Sequence, residues 1–94
     1  MTISEFKATL KDPTHPAGLS GPLSAMWYAG NGDWEMAHAI AQEIETKEAY
    51  WVHAYLHRLE GDPGNAAYWY RRAGKKMTTE TFEKEWAQIV GALL

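Results

Sequence analysis

The residues of this chain best suited to chemistry are two histidines four apart, His53 and His57, with Glu60 three positions further on and Asp62 just beyond. On a helix, spacings of three and four place side chains on one face. Two imidazoles and a carboxylate so arranged form one edge of a metal site, which zinc would complete with a further ligand from another element. His38 is the other histidine in the helical part that precedes them. The pair lacks the glutamate of a metalloprotease motif, and helices produce this spacing constantly. The plainer reading packs one ring among aromatics and hydrogen-bonds the other to a neighbouring loop. His57 with Glu60 or Asp62 is also a formal acid–base pair, since imidazole titrates near neutrality and a carboxylate orients it. Nothing in the sequence supplies a substrate pocket, so the expectation is a non-enzymatic protein without a cofactor.

Around this face the sequence gathers Tyr50, Arg58, Asn65, Tyr68, Trp69 and Arg72. Polar groups set among Trp and Tyr form either a satisfied packing network or a recognition surface. Tyr, Trp and Arg dominate binding hot spots, which points to a surface carrying His53, His57, Glu60, Tyr68, Trp69 and Arg72 that takes a protein or peptide partner. Other chemistry is missing. Ser4, Ser20 and Ser24 stand in no nucleophile elbow, and Gly30-Asn31-Gly32-Asp33 ends in a carboxylate that would repel phosphate, so it reads as a turn.

Composition narrows the class. The 94 residues fit one domain, and the absence of cysteine removes disulfides, thiolate metal sites and thiol catalysis together. A net charge of -3 gives no footprint for nucleic acid. The one basic cluster, Arg71, Arg72, Lys75 and Lys76, reads as complementing a helix C-terminus. Neither a signal segment nor a membrane-length apolar run is evident, so a cytoplasmic, membrane-free location is expected. Five Trp and five Tyr are an unusual load, suited to giving a small core enough buried area.

The elements that must position these residues are helical. Thr2 and Glu5 have capping-box spacing ahead of Ile3, Phe6 and Leu10, and the Pro- and Gly-rich stretch from Asp12 to Pro22 reads as an arm. Four helices follow: Leu23 to Ala29; a second capped by Asp33; a third from about Lys47 to Glu60; and a fourth capped by Asp62 with Pro63 behind it, running to Gly74. A last helix from about Thr79 to Leu93, with Glu80 in its first turn, carries Phe82, Trp86, Ile89, Val90 and Leu93 on one face. The chain therefore divides as one domain over 1–94: an N-terminal helix and arm (1–21), two helical hairpins (22–74) and a C-terminal capping helix (78–94). Exposed aromatics on that last helix would also suit a homodimer.

Shifting the chain by 29 residues superposes Gly32 on Gly61, Asp33 on Asp62, Ala25 on Ala54 and Ala37 on Ala66. Each match has a role in a hairpin: Gly ends the first helix, Asp caps the second, and the Ala pairs permit close approach. The run from Ala25 through Tyr28 and Gly32-Asp33 to Ala37, echoed by Ala54, His57, Gly61-Asp62 and Ala66, resembles a tetratricopeptide hairpin. Residues 65–74, Asn-Ala-Ala-Tyr-Trp-Tyr-Arg-Arg-Ala-Gly, are similar to an element of Sel1-like repeats. With the preceding His53 to Asp62, they resemble a group of short bacterial proteins of unknown role. The resemblance covers about residues 23–74 and implies an all-α, right-handed superhelix of antiparallel helices with a concave face for a protein partner. The 29-residue interval is shorter than the 34 residues of tetratricopeptide repeats, so the linker between hairpins is cut down.

Overall fold

The computed structural model describes residues 1–94 as six α-helices without a strand. They are α1 (Ile3–Thr9), α2 (Gly21–Gly30), α3 (Trp34–Gln42), α4 (Lys47–Leu59), α5 (Pro63–Ala73) and α6 (Phe82–Leu93). Local chemistry sets the starts. Thr2 and Glu5 form a reciprocal capping box on α1, and the carboxylates of Asp33 and Asp62 accept from the backbone N–H of Met36 and Asn65. Helix α2 begins earlier than the proline at position 22 suggests. The Ser20 hydroxyl caps it by accepting from Leu23 N, and Pro22 sits in the first turn, where a missing N–H costs nothing.

The two hairpins end their first helices identically. Gly32 and Gly61 adopt φ of 78° and 81°, and the following amide N–H reaches back to a carbonyl five residues earlier: Asp33 to Tyr28 and Asp62 to His57, both at 2.9 Å. That left-handed turn needs glycine. The four alanines matched by the 29-residue shift, Ala25, Ala54, Ala37 and Ala66, are all fully buried where helices touch.

Helices α2 and α4, the first members of the two hairpins, lie side by side, and α6 runs across both. It begins at Phe82 because the Thr81 hydroxyl accepts from Lys84 N; Thr78 instead closes a turn by accepting from Glu80 N. Trp86, Ile89 and Val90 enter the core beside Phe6, Leu23, Met26, Val52 and Leu56, and the Trp86 indole donates to the Met26 carbonyl at 3.0 Å. Trp86 is thus inside, leaving Phe82 as the exposed aromatic of α6. The N-terminal arm is tied down by His15, whose ring shares a 2.6 Å hydrogen bond with the Ser24 hydroxyl and stacks on Tyr28.

Side-chain packing gives α4 two polar stripes. Trp51, Tyr55 and Arg58 turn toward α6; Tyr50, His53 and His57 turn toward α3 and α5. The first stripe closes on Glu85, a carboxylate only 1% exposed. Glu85 accepts from Arg58 at 2.9 Å, Tyr70 at 2.5 Å and the Trp51 indole at 3.2 Å. Burial, then this carboxylate, makes the Tyr70 hydroxyl resist ionisation, and Tyr55 is likewise pushed up to about 12 by burial first. No helix is long and apolar enough to cross a membrane.

Candidate metal centre

The second stripe of α4 carries the histidines. His53 and His57 are buried, and α3 and α5 flank them. From α3 comes His38, whose Nε2 lies 3.1 Å from Nε2 of His53. The three rings are mutual neighbours: centroid separations are 4.7 Å for His38–His53, 4.9 Å for His53–His57 and 5.3 Å for His38–His57. One ring nitrogen from each lies within 4.8 Å of the other two.

Two indoles hold this trio from outside. Trp34 stacks on His38 at 4.8 Å and 10°, and is itself anchored by donating its N–H to the Leu56 carbonyl at 2.6 Å. Trp69, from α5, stacks on His53 at 3.9 Å and 14°. A ring clamped face-on loses rotational freedom, so its nitrogens stay aimed.

Charge state follows from burial. The His53 imidazolium is disfavoured first by desolvation and then by His38 and His57, which brings its pKa down to about 4. His38 is lowered for the same first reason, with His57 adding to it. Both rings are neutral at pH 7 and carry a lone pair, the form a metal requires. Glu60, at the C-terminal cap of α4, approaches His57 Nδ1 at 2.6 Å. A proton held on Nδ1 leaves the Nε2 lone pair of His57 available, the second-shell arrangement that orients metal-ligating histidines.

His57, Glu60 and Asp62 form a second group of potential ligand atoms within 4.8 Å. Asp62 is already engaged: its two carboxylate oxygens accept from the backbone and side-chain N–H groups of Asn65 at 3.1 and 3.0 Å, which lowers its pKa. The histidine trio therefore has the freer donor set.

The six residues singled out in the sequence divide in two. His53, His57, Glu60 and Trp69 converge on the centre. Tyr68 and Arg72 stand outside it on the exposed edge of α5, connected through Trp69. Sequence reading gave His38 no settled place and passed over Trp34. Their own i,i+4 spacing, parallel to that of His53 and His57, was the available signal. Comparison with protein-family models, curated proteins and solved structures finds no match to this chain.

Proposed function

We propose that this protein binds a divalent transition metal, zinc by preference of ligand type, through His38, His53 and His57, and that its role is binding rather than catalysis. The reading rests on one observation, the convergence of three ring nitrogens within 4.8 Å. Tetrahedral zinc with bonds of 2.0–2.1 Å requires ligand nitrogens about 3.3 Å apart. The His38–His53 pair, at 3.1 Å, is close to that separation, and the His57 nitrogen lies within 4.8 Å of both. Three neutral imidazoles suit zinc, copper(II) or nickel, whereas magnesium and calcium favour oxygen donors. A fourth position is left for water or a partner's side chain. Isothermal titration with zinc and nickel tests the reading: one saturable site at micromolar metal, lost in His38→Ala and His57→Ala, is expected. Absence of saturable binding by the folded protein rejects it.

A second reading, a protein-interaction module of the helical-repeat type, is supported by the outer residues. Tyr68 is 46% exposed, and Arg72 projects among Tyr50, Tyr68 and Trp69. Its partner surface would be this outer edge, because α6 already lies along α2 and α4. Loss of captured partners in Tyr68→Ala and Arg72→Ala, with retention in His57→Ala, is the expected result; retention in all three rejects it.

A further inference from the structure

We propose that the C-terminal end of α5, together with the N-terminal half of α4, docks an acidic protein segment that carries an apolar side chain among its carboxylates. The inference names the partner chemistry for the interaction reading and does not depend on the metal.

Charge is the first argument. In a chain with twelve acidic and nine basic residues, Arg71, Arg72, Lys75 and Lys76 form the one basic cluster, yet none is in a salt bridge; the pairs present use His57, Arg58 and Lys84. Two of the cations rest on aromatic rings instead. The Arg72 guanidinium lies 4.4 Å from the Tyr50 ring centroid and donates to the Tyr50 hydroxyl at 3.2 Å, and the Lys75 ammonium lies 4.2 Å from the Trp51 ring. A cation held on a π-face keeps its charge and its remaining N–H donors, so the ring positions it without neutralising it. Arg71 and Arg72 sit in the last turn of α5, where the helix dipole accounts for them. Lys75 and Lys76 follow the terminating Gly74 and pass beyond that turn.

Shape is the second argument. Beside Lys75, a hollow of about 280 Å³ opens between α4, α5 and α6, with Trp51, Ala73, Ala92 and Leu93 as its apolar walls and Lys47 at its edge. Glu48 also lines it, which sets one repulsive point that the partner's carboxylates must avoid. Lys47 and Lys75 at a small apolar socket, with Arg72 on the neighbouring turn of α5, fit a segment alternating Asp or Glu with Leu or Phe. The patch is too short, and the rest of the chain too acidic, to follow a phosphate backbone.

The test is fluorescence anisotropy with a labelled Asp-Glu-Leu-Glu-Asp-Leu-Glu peptide and its Asn/Gln counterpart. Saturable binding of the acidic peptide is expected. It should weaken at least tenfold in the exposed double variant Arg72→Ala/Lys75→Ala, weaken with added salt, and stay unchanged in the exposed variant Lys11→Ala and on addition of a chelator. Equal affinity for the neutral peptide overturns the assignment of acidic chemistry while leaving the interaction reading intact. No saturable binding at low salt, no effect of the double variant, or tighter binding of a single-stranded RNA oligonucleotide overturns the site.

Discussion

Helix α4 buries polar groups on two sides, and the two sides are finished differently. Toward α6, the Glu85 carboxylate collects three donors, from Arg58, Tyr70 and Trp51. That network holds a complete set of opposite charges and hydrogen bonds, and nothing is left over for a ligand. Toward α3 and α5, three imidazoles crowd together with one carboxylate beside His57, and the Nε2 atoms of His38 and His53 face one another. Contacts of this kind join ring to ring, and imidazole nitrogens so gathered are of the type that ligates a metal. Burial alone therefore does not separate a structural network from a candidate site; the chemical type of the groups that meet there does.

The largest blow to this contrast falls on the finished side. Glu85→Ala removes the carboxylate partner of Arg58, which keeps only the Glu80 carbonyl and the Phe82 ring, and leaves the Tyr70 hydroxyl without its acceptor; removing one partner of a buried pair costs about 3–5 kcal/mol. Urea unfolding should show that loss, with zinc affinity of the remaining folded protein unchanged.

Next in size is the pH response of the histidine side in metal-free protein. The folded state holds His53 near pKa 4, against the ordinary 6.5, so between these values the unfolded chain binds more protons. Stability is full above about pH 6.5 and falls as pH drops toward 4, by on the order of 3 kcal/mol at most at 1.36 kcal/mol per unit. Thermal melts with chelator should show this decline, and His53→Gln should flatten it. Wild-type stability independent of pH across that window would contradict the burial argument.

A finer probe is Glu60→Gln. If Glu60 orients His57, zinc affinity falls about 10–100-fold while the metal-free melting temperature barely moves. Titration calorimetry distinguishes this from an equal loss in both. The smallest effect is expected at the outer edge: Arg72→Ala, at an exposed position, should change unfolding free energy by less than about 0.5 kcal/mol.

The all-helical class and the helix boundaries were legible because caps and stops are local. Asp33, Asp62, Gly32 and Gly61 act on backbone groups within five residues. The start of α6 was less so, since Thr78, Thr79 and Thr81 are all credible caps and only the docking of α6 selects Thr81. Glu85 was not legible: a glutamate in a first helical turn reads as a dipole partner on the surface, and its burial arises from where α6 lands. His53, His57 and Glu60 could be joined from spacing within α4. His38 could be added only once the turn between α3 and α4 had fixed the register of one helix against the other.

The indole of Trp86 reaching the Met26 carbonyl joins residues sixty positions apart. The hairpins α2–α3 and α4–α5 are built from neighbours in sequence and can form while the chain is still emerging from the ribosome. Their shared apolar side can be sealed only when α6 arrives, so completion of the core waits on a helix that is made after both hairpins. Until then, a nascent chain displays Met26, Val52 and Leu56 to whatever binds exposed hydrophobic surface.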